Sequence, residues 1–466
     1  MRATFSILLG IGTVMTVSAQ TPVGSLGPLL ASRPVVSKTV TMDEAVDLAL
    51  KNSPVVLGSA AELNAAVGRL RSARAEMRPW LSANAFASGG GGTGIVATPP
   101  PTQPAAIMGL PGGRFADLNL SLMLPLVTSG RLEGMVRQAA ALRHASEADL
   151  ATQRQEVTLM TRTAYHDVQA RRAMVGVAQA RLKENEERLK NDAARLKQQS
   201  IPEYYLRRDE AEVASARQDV TNAQRDVDIS LVGLKTVIGV SPASQLDVTG
   251  DLDSPNTAEF LAALTAGSGA QPDDTLSALL NLAERKRPEL MAGSRRVEGA
   301  RADTTSVRGS YLPQLSLGVM GDWMKAGSMN ASARTTAAVI ASIPLYSGGQ
   351  REGRIREAEG MREKQEQDLR QVALQVAQDV QNALLNLRAA DQNVGAAQAG
   401  QKAAESEYAA AQLRYQVGRS VAAEMLDSLA SRVRAQSDVV QALYLYNVAR
   451  DQLLRAVGGL GASPPS

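Results

Sequence analysis

Two kinds of hydrophobic spacing alternate along this chain of 466 residues. In two long segments without proline, 131–199 and 350–416, apolar residues recur every seven positions, which predicts long helices. In the first of these segments the repeated positions are Val168, Val175, Leu182, Leu189 and Leu196. In 115–124 and 314–324 the apolar residues come nearer to every second position, which predicts strands. The pattern predicts a mainly helical chain with a few strands.

The same order of elements occurs twice. Residues 41–79 match 275–313 at a constant offset of 234 positions, and the match resumes after the strands at an offset of 219. Each copy contains a short helix, two strands, a long helix and, after a break, a returning helix. The resulting boundaries are 41–240 for the first repeat with a β-hairpin at 80–127, 241–274 for a linker, 275–458 for the second repeat with a β-hairpin at 314–346, and 459–466 for a C-terminal tail.

The N-terminus has the pattern of a secretory signal peptide. Residues 1–19 combine an early arginine, a short apolar core and a small-residue cleavage site, and residues 20–40 are rich in Pro, Ser and Gly, which predicts a flexible mature terminus. No later segment has the roughly 18 consecutive apolar residues of a membrane-spanning helix. If the exported protein spans a membrane, it must therefore do so with β-strands.

Composition argues against several function classes. The chain has no Cys and only two His, so thiol chemistry, a zinc site and a His-based catalytic triad are not expected. A net charge of +3 with 3% aromatic residues does not favour nucleic-acid binding. We therefore expect a protein that is not an enzyme and that uses no metal or cofactor.

The two predicted hairpins are bounded by prolines, and their strands have about the 9–11 residues of a tilted membrane strand. The boundary residues are Pro79, Pro125, Pro313 and Pro344. Four strands cannot close a barrel, and open sheet edges do not occur in lipid, so several copies must pool their strands. Two copies would give eight strands around a lumen filled by side chains, whereas three copies would give twelve strands, enough for a water-filled lumen. The alternative is a small soluble sheet joined to a soluble coiled coil.

The chain resembles the TolC-type outer-membrane efflux proteins. The resemblance rests on the duplicated order of elements, the Pro-Leu-Tyr-Ser-Gly-Gly turn at 344–349 and the Tyr-x-Val-Gly break at 415–418. It implies a homotrimer with one twelve-stranded β-barrel in the bacterial outer membrane and a long α-barrel crossing the periplasm, with the linker near its equator. It also implies passive export as the exit duct of a tripartite efflux or type I secretion system, joined to a periplasmic adaptor and an inner-membrane pump.

The resemblance also implies a gate after the helical break. Glu424 and Asp427 fall at the family's two acidic positions, and their i, i+3 spacing places them on one helix face. In a trimer they would form two carboxylate rings that favour cations. Tyr415 and Gly418 match family positions at the closed entrance. A solvated acidic patch is the alternative.

Two departures put the rest of that gate in doubt. Ser420 stands at the position of the family's closing arginine, with Arg419 beside it, and the acidic partner expected in the first repeat is not at its place within 200–208. Arg207, Arg208 and Arg419 are candidate contacts for an adaptor, and a solvated pair is the alternative for Arg207 and Arg208. A periplasmic coiled-coil adaptor is the rival function. The sequence does not separate drug, protein and metal cargo.

Overall fold

The computed structural model describes residues 37–88, 95–96, 108–109, 115–266, 275–326, 330–417 and 419–460. The predicted signal peptide and most of the predicted tail lie outside the described residues, as does Gly418.

The described helices occur in the predicted order in both repeats. They are α1 (Met42–Asn52), α2 (Pro54–Ala75), α3 (Arg131–Lys197), α4 (Glu203–Ile238), α5 (Thr257–Thr265), α6 (Thr275–Lys286), α7 (Pro288–Gly309), α8 (Gln350–Gln416) and α9 (Ala422–Ala456). The long helices α3 and α8 each have 67 residues, which at a rise of about 1.5 Å per residue gives about 100 Å. No helix among the described residues has a stretch long and apolar enough to cross a membrane.

Local sequence explains where these helices begin and end. Thr41 and Glu44 form a capping box at the start of α1, in which each side chain satisfies a backbone N–H of the other residue. At the other end of the repeat, α4 stops at Gly239, whose φ of 79° lies in the left-handed region that favours glycine. The matched Gly458 has a φ of 76° after α9, so both repeats end in the same way.

Four long strands form one antiparallel sheet with the order β2-β5-β7-β8. The strands of this sheet are β2 (Trp80–Ser88), β5 (Phe115–Val127), β7 (Gln314–Ala326) and β8 (Ser332–Ser342). The central pair, β5 and β7, joins the two repeats, and β2 and β8 are left as unpaired edges. The prediction of four strands per chain is thus confirmed. In the part of the chain that connects β2 to β5, the two-residue strands β3 (Ile95–Val96) and β4 (Met108–Gly109) pair with each other.

A small parallel pair corrects the prediction of a flexible mature terminus. Strand β1 (Ser37–Val40) lies within the segment predicted to be flexible, and β6 (Gln245–Val248) lies within the predicted linker. The two strands pair in parallel, and Val40, Leu246 and Val248 are buried. Four-residue strands are too short to give a clear period, and the paired residues are 208 positions apart, so pattern alone did not reveal them.

Each repeat buries its own hydrophobic core near the middle of its long helix, and a polar contact joins the two repeats. The first core includes Val168 and Leu234, and the second includes Val380 and Leu453. Between them, buried Asp451 on α9 lies 3.2 Å from His166 Nε2 and 3.1 Å from Arg162 Nη1 on α3. Burial acts to raise the pKa of Asp451, but His166 and Arg162 hold that pKa below its ordinary value.

Candidate functional site

The predicted gate residues lie where the two helical hairpins turn. We call this region the tip and define it as residues 184–213 of α3 and α4 and residues 403–432 of α8 and α9. The two parts correspond through the offset of 219 positions, so each residue of one hairpin has a matched residue in the other.

A hydrogen bond between the repeats ties the end of α8 to α3. The Tyr415 hydroxyl donates to Asp192 Oδ2 over 2.9 Å, and Asp192 is almost fully buried. Burial and the Asp192 carboxylate raise the pKa of Tyr415 to about 12, so the hydroxyl keeps its proton and remains the donor. Arg195 lies over the Tyr415 ring at 5.3 Å and donates from Nη2 to the Gln416 carbonyl oxygen at 3.2 Å. The partner of Tyr415 is therefore found on α3, before the break in the first repeat.

The two predicted acidic residues differ in their surroundings. Glu424 accepts hydrogen bonds from Ser420 Oγ and Arg414 Nη2, both at 2.6 Å. The Ser420 hydrogen bond, aided by the Arg414 charge, lowers the pKa of Glu424. Asp427 is exposed one helical turn further on and has no hydrogen bond or ion pair with the described residues. Arg414 thus partly compensates one carboxylate, and the other remains free.

A buried ion pair holds the first hairpin together. Arg188 Nε on α3 donates to Asp209 Oδ1 on α4 over 2.9 Å, and both side chains are at most 10% exposed. Burial raises the pKa of Asp209 to about 6, against the opposing effect of Arg188 and with a further contribution from the neighbouring Asp192 carboxylate. This carboxyl group therefore titrates close to neutral pH.

A second contact between the repeats lies about two helical turns before Asp192 on α3. Arg432 on α9 forms a salt bridge with Glu184 on α3, and its guanidinium stacks 4.3 Å above the ring centroid of Tyr408 on α8. Tyr408 packs with Met425 and Leu429 in a small buried cluster. Arg432 thus joins three helices at the tip.

The arginines proposed to contact an adaptor are all exposed, but their charges are not equally available. Arg207 donates to Glu203 at 3.2 Å and to Glu210 at 3.1 Å, so local carboxylates compensate its charge. Arg208 and Arg419 form no ion pair with the described residues.

The prolines predicted to bound the hairpins lie at or near strand ends. Pro79 and Pro313 directly precede β2 and β7, and Pro344 follows two residues after β8. Pro125 lies inside β5, where the pairing with β7 shifts between Pro125 and Val127. A proline at a bulge removes no regular ladder hydrogen bond, which explains how β5 continues through it.

Sequence reasoning missed Asp192, Arg195 and the other partners on α3. The duplication did not point to these residues, because Asp192 corresponds to Ala411 and Arg188 to Glu407 in the second copy. A weaker signal was present. Arg188, Asp192 and Arg195 are spaced four and three residues apart, which puts three charges on one face of a helix that otherwise follows a heptad pattern.

The model of the outer membrane efflux protein family matches residues 45–240 and 279–459, most of the chain. The chain belongs to the outer membrane efflux protein family. It is accordingly a protein of the bacterial outer membrane, in a family of channels that export substrates, and the predicted family resemblance is confirmed. No curated protein sequence matches the chain.

Solved structures of outer-membrane channels share the fold of this efflux protein. CusC is 17% identical, with 91% of this chain and 93% of that chain covered and a TM-score of 0.72. VceC from Vibrio cholerae is 18% identical, with 90% and 96% covered and a TM-score of 0.70. The open state of MtrE from Neisseria gonorrhoeae is 20% identical, with 91% of each chain covered and a TM-score of 0.70. The fold is that of the trimeric tunnels, in which helices form a barrel and strands contribute to a β-barrel.

Proposed function

We propose that this protein is the passive exit duct of a tripartite export system, acting as a homotrimer whose tip opens toward a periplasmic adaptor and an inner-membrane pump. Three copies would supply twelve strands and close the two sheet edges that one copy leaves unpaired. The rival function, a periplasmic coiled-coil adaptor, gives no role to four paired strands of 9–13 residues.

The hydrogen bond from Tyr415 to Asp192 carries the proposal that the tip is a gate. It is a charge-assisted bond between the second hairpin and the first, at the end of helices about 100 Å long. If the second hairpin swings outward to open the duct, this bond and the Arg432 contact to Glu184 must break. Both contacts favour the closed arrangement for that reason.

Glu424 and Asp427 are proposed to give the gate its ion preference. Three copies would bring six carboxylates to the entrance, and rings of carboxylates favour cations. The free carboxylate of Asp427 contributes more than that of Glu424, because Arg414 already compensates part of the Glu424 charge and Ser420 donates a hydrogen bond to it.

Arg208 and Arg419 are proposed as the part of the tip that an adaptor contacts. Their charges have no ion-pair partner among the described residues, so acidic or carbonyl groups of a partner can take that place. Arg207 is a weaker candidate, because an adaptor would have to compete with Glu203 and Glu210.

Membrane fractionation and planar-bilayer recording together test the proposed duct. We expect the protein to stay in the outer membrane after high-salt washing, to cross-link as a trimer, and to form pores after purification in detergent. Release by salt alone, together with the absence of pores, would instead support the soluble adaptor.

A further inference from the structure

We propose that the sheet carries a second ion-selective site, a charged ring at the outer mouth of the duct that favours cationic solutes. This inference rests on the trimeric pore proposed above. It concerns the end of the molecule opposite the tip and a different set of residues.

One row of polar residues crosses the whole sheet. The strand register aligns Asn84 of β2 with Asn119 of β5, Asn119 with Asp322 of β7, and Asp322 with Arg334 of β8. Residues that lie directly opposite each other in a sheet share one face. The Asn119 amide donates a hydrogen bond to the Asp322 carboxylate, so the middle of the row is already joined.

The same face carries further polar side chains and one more charge. Asp117 lies two residues from Asn119 on β5 and therefore points the same way. Nearer the periplasmic end of this face, the hydroxyls of Ser82 and Ser121 are hydrogen-bonded over 2.7 Å. Among these residues, Asp117, Asp322 and Arg334 give a net charge of −1 per chain, which is −3 in a trimer.

The opposite face of the sheet is apolar apart from Thr335 and, at its outer end, Lys325. Its members along the paired strands include Leu118, Leu120, Leu122, Leu317, Val319, Trp323 and Val339. Charged groups on a lipid-facing surface are costly, whereas strands of membrane barrels alternate apolar outside and polar inside. The leucine-rich face therefore belongs against lipid, and the row from Asn84 to Arg334 belongs in the lumen.

The position along the strands places this row in the outer half of the barrel. Asp322 is nine residues beyond Pro313 and Arg334 is ten residues before Pro344, which is roughly 30 Å along a strand from the proposed periplasmic boundary. The tip lies about 100 Å away at the other end of the helices, so the two sets of carboxylates act independently.

The lumen is narrow enough for these charges to act on a passing solute. Twelve strands spaced about 4.8 Å apart and tilted by about 40° form a cylinder of about 12 Å backbone radius, and the side chains reach inward from there. The screening length is about 8 Å at physiological salt and about 30 Å at 0.01 M. The ring therefore acts on solutes in the lumen at physiological salt and more strongly at low salt.

Arg334 adds a positive charge to this otherwise acidic ring. It is exposed on the edge strand β8 and has no ion pair with the described residues, even though Asp322 is its cross-strand partner. Neutralising Arg334 should strengthen the preference for cations, whereas neutralising the two aspartates should reverse it, because the charge of Arg334 remains.

Thiol labelling from the cell exterior tests the ring without requiring the tip gate to open. The chain has no cysteine, so Met320→Cys, on the lumen face two residues from Asp322, introduces a single thiol. We compare its reaction rates with a cationic and an anionic methanethiosulfonate reagent of similar size. At low salt the cationic reagent should react faster, and D117N/D322N should lower the rate ratio by about tenfold.

The controls separate this inference from the proposed function. R334Q should raise the ratio, Thr336→Val on the same face should leave it unchanged, and 1 M salt should remove the difference between variants. A ratio that is insensitive to D117N/D322N while both reagents react would overturn the ring alone. Failure of both charged reagents to react, with labelling by a membrane-permeant thiol reagent retained, would show that this face does not line water, and the proposed barrel would fail with it.

Discussion

The two helical hairpins have nearly the same length but different chemistry at the tip. Helices α3 and α8 each have 67 residues, and α4 and α9 have 36 and 35. The first hairpin is held by the buried pair of Arg188 and Asp209, whereas the second packs an apolar cluster around Tyr408 and exposes its acidic residues. The repeat therefore fixes the architecture, and we propose that single substitutions within it give one hairpin an anchoring role and the other a mobile one.

Removing Arg432 should most strongly loosen the second hairpin from the first. Arg432→Ala leaves Glu184 without its partner and removes the stacking on Tyr408, and both members of the pair are only about a fifth exposed. We expect the free energy of local opening at the tip to fall by roughly 2–3 kcal/mol. Hydrogen exchange of α8 and α9 in the detergent-solubilised trimer measures it.

Arg217→Ala is the matched control, because its salt bridge with Glu186 joins α3 and α4 on the exposed surface of the first hairpin. Removing an exposed pair costs about 0–1 kcal/mol. Equal loss of protection in the two variants would contradict a special role for the contact between repeats.

Asp209 should make the first hairpin sensitive to pH, in contrast to the second, where Ser428 takes the matched position. The pKa of Asp209 in the folded protein is about 6, above the ordinary value of 3.8. In the pH window between these two values the folded protein keeps this proton while the unfolded chain loses it. The contribution of Asp209 to stability should therefore fall as pH rises through the window, by about 1 kcal/mol per pH unit at most, and stay constant above it.

The difference in thermal midpoint between wild type and Asp209→Asn, followed from pH 4.5 to 7.5, isolates this group. We expect the wild type to lose stability relative to the variant as pH rises toward 6. A constant difference across the range would show that Asp209 has an ordinary pKa in the folded protein.

The turns of the two hairpins differ in sequence at every matched position from 198 to 202, and one of these pairs Gln199 in the first with Gly418 in the second. Gln199 has a φ of 56°, in the left-handed region that strains residues other than glycine. Gln199→Gly should therefore stabilise the first hairpin by about 0.5 kcal/mol, after allowing for the greater freedom of glycine in the unfolded chain. The neighbouring Gln198 has a φ of −86°, so Gln198→Gly should destabilise it in the same thermal-melting assay.

The smallest expected effect separates the two acidic residues of the second hairpin. Asp427→Asn should lower the cation-to-anion permeability ratio by roughly twofold in planar bilayers at low salt, and Glu424→Gln should lower it less. The reason is that Arg414 already compensates part of the Glu424 charge. The opposite order would mean that the Arg414 contact is absent in the open pore.

Most of the fold followed from the sequence because its signals are local or repeated. Heptads, period-two strands, prolines and the two offsets predicted α3, α8 and the four-stranded sheet. The β1–β6 pair and the partner of Tyr415 did not follow, for a common physical reason. Tyr415 and Asp192 are 223 positions apart, and their meeting depends on how two hairpins pack, which no local period encodes.

A double-mutant cycle on Tyr415 and Asp192 tests the gate most directly. The measured quantity is the fraction of time that single channels are open in planar bilayers. A hydrogen bond to a charged group contributes about 1.5–3 kcal/mol, so Tyr415→Phe and Asp192→Ala should each raise the open fraction by about tenfold or more. Because both remove the same bond, the double variant should exceed the single variants only slightly, and Tyr204→Phe, an exposed tyrosine at the same end, should change nothing. Independent effects that multiply in the double variant, or no effect of either change, would contradict a gate held by this bond.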